Sequence, residues 1–237
     1  EVAGALAYVA NGAGGMRTFD IADPHNPVAL GRAVTGGDAR RLAVAGGVAW
    51  LAAGLDGVQV VDVEDPAAPM LLGAVSTPGR ARDTAAAGSL AFVVDDTPAL
   101  HVVSAADPAA PAILASLPLP AESFGVTAEG SLVCVAAGTS GVVFVDVSTP
   151  AAPAVLATAG TSDSARAVAV SGTTAFVADF NSGLRMLDIA DPGAPTTVGV
   201  IDTPGLATDV ALSGDVAFVT TNTGLVAVDV ADPAAPN

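Results

Sequence analysis

The chain has 237 residues, 51% of them apolar and only 14% charged, enough apolar surface for a sizeable core and too much for a disordered chain. Eight arginines and no lysine stand against 24 acidic residues, and a net charge of −16 excludes general binding to nucleic acid or to anionic lipid surfaces. The single cysteine, Cys134, excludes an internal disulfide and a cysteine-based zinc site, and two histidines leave few general bases.

From the N-terminus, an apolar run at residues 7–10 (A-Y-V-A) leads into the hairpin loop Gly12-Ala13-Gly14-Gly15. The run M-R-T-F-D-I and the turn Asp23-Pro24-His25-Asn26-Pro27 follow. The next unit shows the pattern most clearly. It predicts strands at residues 42–45, 48–53, 58–63 and 69–75, bounded by Gly46-Gly47, a Gly-containing loop at 54–57, an Asp-Pro turn and a closing loop at 76–79. The turn D-P-x-x-P recurs at residues 107–111, 149–153 (with Thr149 for Asp), 191–195 and 232–236. Its first prolines fall at 24, 66, 108, 150, 192 and 233, so the period is 42 residues with one interval of 41. Helical periodicity is absent, because no segment runs ten residues without a breaker.

Four short strands in every 42 residues predict one propeller blade per repeat. The expected fold is all-β: a six-bladed β-propeller filling residues 1–237 as a single domain. Six full units need more residues than the chain has, so the terminal blade is expected to be incomplete and the chain to be a piece of a longer protein. The second strand of each unit places Tyr8, Trp50, Phe92, Cys134, Phe176 and Phe218 in one column. Small residues stand beside them, so large and small side chains on opposite faces are expected to interlock adjacent sheets. Cys134 takes an aromatic's place and reads as a buried filler.

The third strand and its turn carry a resemblance. The segments V-Q-V-V-D-V-E-D-P-A-A-P, V-V-F-V-D-V-S-T-P-A-A-P and L-R-M-L-D-I-A-D-P-G-A-P resemble the LVIVD repeat. Five copies match well and the third, H-V-V-S-A-A-D-P, is weaker, with Ser104 in place of Asp. The resemblance covers the whole chain. It implies a β-propeller of bacterial or archaeal cell-surface and secreted proteins and brings no catalytic residues with it.

Two Asp columns follow the repeat. Asp20, Asp62, Asp146, Asp188 and Asp229 end the third strand, and Asp23, Asp65, Asp107, Asp191 and Asp232 precede the proline. Carboxylates three apart could share calcium. A turn role is favoured instead, since Asp before Pro forms turns and a feature repeated in each blade is architecture. Departures from the repeat mark the candidate site. Arg40, Arg82 and Arg166 occupy one column of the connection between blades, where Phe124 and Thr208 take the same place, and Asp83 and Asp209 lie nearby. Arginine offers a planar fork for carboxylate or phosphate, so this set is the expected ligand site, with internal pairing to Asp as the competing reading. The histidines, His25 in an Asp-Pro turn and His101 on a third strand, do not pair with each other, and no Ser/His/Asp set or metal-spaced cluster is apparent.

The resemblance implies a secreted or cell-surface protein, and the residues are read as those of a non-catalytic module that binds or scaffolds protein or glycan partners, with no cofactor, no nucleic acid and no membrane insertion. The alternatives are a funnel-type metal-assisted hydrolase or lactonase and an architectural subunit of an extracellular assembly.

Overall fold

The computed structural model describes residues 1–237. Six antiparallel sheets follow one another along the chain, numbered β1 to β23, and there is no helix. Five sheets have four strands and the last has three. In each sheet the strands pair in chain order, as expected when Gly and Asp-Pro turns leave only short hairpin connections. The second sheet comprises β5 (Arg41–Ala45), β6 (Val48–Ala52), β7 (Val58–Asp62) and β8 (Met70–Val75), each within a residue or so of the span its sequence predicts. The sheets are the six blades of a β-propeller fold, as the period requires.

The chain forms two compact units, Glu1–Ser116 and Leu117–Asn237, with three sheets each. In the first unit, β6 sends alternate residues to opposite faces. Trp50 and Ala52 pack with Ala91, Val93 and Val103, whereas Ala49 and Leu51 pack with Tyr8 and Met16. The second unit repeats the scheme: Cys134 and Phe144 meet Ala175, Val177 and Leu187, and Phe176 and Met186 meet Ala217, Val219 and Val228. Trp50, Phe92, Cys134, Phe176 and Tyr8 are all buried. Phe218 is half-buried, because it lies on the face of the last sheet turned away from its neighbour in the unit. Outer strands keep apolar sequences but stay exposed, Met70, Leu114, Val155 and Val200 among them.

The Asp-Pro turn of one blade seats on the outer strand of the blade before it. A Cβ added at Gly31 would lie 2.6 Å from the Pro66 carbonyl oxygen, and one at Gly73 2.6 Å from that of Pro108. In the second unit Gly199 meets Pro233 in the same way, at 2.1 Å. Thr18 strengthens the first of these seats by donating its hydroxyl proton to the Pro66 carbonyl. Glycine stands in the outer strand at these points because backbone approaches backbone.

Candidate functional site

The loop joining the second and third strands of a blade touches the connection into the next blade. Isolated bridges pair Gly12 with Ala39 and Gly54 with Ala81 in the first unit, and Gly138 with Ala165 and Phe180 with Ala207 in the second. Residues that follow Ala39, Ala81 and Ala165, namely Arg40, Arg82 and Arg166, are thereby held beside those loops.

In the first unit this arrangement makes a cavity of about 720 Å³. Arg40, Arg80 and Arg82 line it together with Asp38, Asp56 and Asp96. Arg40 donates from Nε to Asp38 Oδ2 at 2.8 Å, and both side chains are more than half exposed. That contact orients the guanidinium and uses one of its five donors. Arg80 is exposed, and its backbone N–H is fixed by Asp96 Oδ1 at 2.7 Å. Arg82 and Asp83 are half-buried and both are engaged in further interactions. Asp83 also accepts the Thr84 N–H at 2.9 Å, an arrangement Asp209 copies in the second unit with the Val210 N–H at 3.0 Å.

Arg166, in the second unit, has a different setting. Its guanidinium lies 4.2 Å from the ring centre of Phe124 and 4.5 Å from that of Phe180, stacked between them. Its Nε is buried without a hydrogen-bond acceptor. Phe180 is the one non-glycine residue at positive φ, 45°, where the matching loops have Gly12, Gly54 and Gly138 at 55°, 61° and 50°. The sequence column joined Arg166 with Phe124; it missed Phe180, whose signal is its departure from a different column, that of Gly12, Gly54 and Gly138.

The Asp columns form turns. Oδ1 of Asp20, Asp62, Asp146, Asp188 and Asp229 accepts the N–H two residues on. Asp23, Asp65, Asp107, Asp191 and Asp232 do the same. Ser104 replaces the missing Asp of the third blade and accepts the Ala106 N–H with its hydroxyl. The Ser148 N–H, and then its hydroxyl, hold Asp146 below the usual carboxylate range. Nowhere do three or more His, Cys, Asp or Glu side chains converge as a metal-ligand group.

Two buried side-chain pairs lie beneath the loops. Asp179 faces Arg185, Oδ2 to Nε, at 3.4 Å, and Arg185 also reaches Ser162 and Thr197. Asp95 faces His101, which corrects the reading that no Ser/His/Asp set is present. His101 Nε2 is 3.0 Å from Asp95 Oδ2 and Nδ1 is 2.8 Å from Ser116 Oγ, so a Ser/His/Asp set does exist. A signal for the pairs was present: Asp stands in the column of Ala53 and Ala137 only where the residue six positions on is His101 or Arg185. Ser116 could be read from the repeat as well: it stands in the column of Ala74, Thr158 and Val200, which lie opposite Gln59, Val143 and Arg185 in their own blades.

The model of the LVIVD repeat matches residues 1–35, 36–77, 78–117, 122–161, 162–203 and 204–237, six times along the chain. The chain belongs to the LVIVD repeat family. No curated protein matches its sequence. Solved structures share the fold of this LVIVD repeat protein at low identity. The computationally designed Ika8 protein is 11% identical, with 97% of this chain and 70% of that one covered and a TM-score of 0.77. A functionally unknown protein from Desulfotomaculum acetoxidans is 13% identical over 94% of this chain and 74% of its own, TM-score 0.76. The periplasmic gluconolactonase of Pseudomonas aeruginosa is 16% identical over 94% and 77%, TM-score 0.77. At such identities the likeness speaks for the fold alone.

Proposed function

We propose that this LVIVD repeat protein is a non-catalytic binding and scaffolding module of a secreted or cell-surface protein. Its ligand is an anionic group of a protein or glycan partner, received in the first unit by the cavity that Arg40, Arg80 and Arg82 line. The observation that carries this reading is the gathering of three of only eight cations around one cavity of about 720 Å³. In a chain of net charge −16, that is where a carboxylate approaches with the least repulsion. Asp38, Asp56 and Asp96 on the same walls accept hydroxyl or amide hydrogens, so the cavity suits a ligand carrying both an acid and hydrogen-bond donors. The carboxylated sugar of an acidic glycan has both. The second unit contributes no matching fork, since the flat faces of Arg166 are covered by Phe124 and Phe180.

The experiment is calorimetric titration of the protein with oligosaccharides of equal length, one carrying uronic acids and one neutral. The acidic form binds more tightly. Arg80→Gln and Arg40→Gln each weaken it about tenfold, the effect of one charge-assisted hydrogen bond. Equal binding of both sugars, or acidic binding that ignores the two substitutions, overturns the assignment of the cavity. The reading as a metal-assisted hydrolase lacks a three-ligand donor set to rest on.

A further inference from the structure

We propose that Ser116 is a histidine-activated nucleophile, able to accept an acyl group from a small activated ester. This does not depend on the arginine cavity. Ser116 lies on the edge strand of the third sheet, β12 (Ala112–Pro118), and is exposed. Its Oγ stands 2.8 Å from His101 Nδ1, and His101 is 1% exposed. Asp95, fully buried, lies 3.0 Å from the other ring nitrogen.

The protons in this chain of contacts follow from the donor inventory. Asp95 Oδ1 accepts the N–H and the hydroxyl of Thr97, and Oδ2 accepts the Gly79 N–H at 2.7 Å. A carboxylate serving that many donors is ionised and can only accept, so the His101 Nε2 must carry the proton that faces it. In the neutral imidazole Nδ1 is then a lone-pair acceptor, and the Ser116 hydroxyl donates to it. An exposed hydroxyl, an oriented base and a buried carboxylate that holds the base's tautomer are the parts of an activated serine. Here the two ring nitrogens exchange the roles they have in the familiar triad.

Divergence of the repeat supports a role beyond packing. In the column of His101 the first, second, fourth and fifth blades have Arg17, Gln59, Val143 and Arg185. Arginine and amide side chains fill a buried polar position as donors, as Arg185 does toward Asp179. None of them can take a proton at neutral pH. The third blade alone combines a proton acceptor with a hydroxyl that solvent reaches.

In the step, Ser116 Oγ attacks the carbonyl carbon of an ester as its proton moves to His101 Nδ1. The Oγ–C bond forms and the bond to the leaving alkoxide breaks. The proton passes from His101 to that alkoxide, which departs as the alcohol. Ser116 is left as an ester, with no change of oxidation state. Asp95 acts as a positioning residue, stabilising the imidazolium while it exists. The site is an open strand edge, so the product of the step is a stoichiometrically acylated serine.

Incubation of the full chain with p-nitrophenyl acetate, followed by peptide mass mapping, tests this. Ser116 acquires acetyl about 10²-fold faster than the exposed Ser76 and Ser171, the usual contribution of a positioned general base. His101→Gln, which places in the third blade the residue that Gln59 supplies in the second, lowers Ser116 to the rate of those two serines. Ser116→Ala removes the fast acetylation. Labelling of Ser116 no faster than Ser76 and Ser171 overturns the proposal, whether or not the histidine variant folds. So does fast labelling that persists in a folded His101→Gln variant. Neither result bears on sugar binding by the arginine cavity.

Discussion

Cys134 stands where other blades place an aromatic, and burial pushes its thiol up to about 12 from an ordinary 9.0, with the charge of Glu129 adding to the effect. The native thiol keeps its proton while the unfolded thiol loses it above about pH 9, so stability falls as pH rises beyond that point, by about 1 kcal/mol per pH unit at most. A disulfide-exchange reagent at pH 8 should leave the folded protein unmodified and react with one thiol after denaturation. Rapid modification of the folded protein would contradict the burial. Phe180 presents a contest of magnitudes. Its positive φ costs about 1–3 kcal/mol, and its stack on Arg166 returns about 0.5–2 kcal/mol. Phe180→Gly therefore destabilises by no more than about 1 kcal/mol, since strain and stack leave together. Phe124→Ala removes a stack with no strain to release and destabilises by about 1–3 kcal/mol. Equal losses in a denaturant titration of the two variants would refute strain at Phe180.

At the level of strands and turns, the contact between blades is specific. The Asp-Pro turn presses its backbone against a glycine of the preceding outer strand, leaving no room for a methyl group at Gly73. Gly73→Ala should cost about 1–3 kcal/mol by forcing the strand away from the Pro108 carbonyl. Gly160, just past the end of an outer strand rather than within one, has open space where its Cβ would stand and serves as the control. Denaturant midpoints that fall equally for the two substitutions would show that close approach is not the reason for glycine. Strand positions were legible in the sequence because each strand is enclosed by Gly or Asp-Pro. The exposure of the fourth strands was not legible, since Met70, Leu114 and Val155 are as apolar as the buried residues of inner strands. An edge strand is covered on fewer sides, a fact of position and not of composition.

For the molecule as a whole, charge and turn geometry set the response to solution conditions. A net charge of −16 repels itself, and salt screens that repulsion with a Debye length of about 8 Å at physiological strength. The melting temperature at neutral pH should rise as sodium chloride goes from low to physiological concentration; a fall would mean that ion pairs outweigh repulsion. The carboxylates of the Asp-Pro turns already accept backbone N–H groups. EDTA should accordingly leave the melting temperature unchanged. A drop of many degrees on chelation would reveal a cation bound to the native state.

The sequence by itself determined the period, the four strands of each unit, the buried aromatic column and membership of the LVIVD repeat family. Those properties are local or recur at fixed spacing, so apolar patterning and turn chemistry express them without knowledge of what packs where. It also singled out Arg40, Arg82 and Arg166 as departures from the repeat. Tertiary structure decided that they differ in kind: Arg40 and Arg82 join Arg80 around a cavity, while Arg166 is clasped by two rings. It also showed that the Ser116 hydroxyl reaches His101 and that His101 faces Asp95. Side chains on different strands meet according to hydrogen-bond register, and one inserted residue changes which of them meet.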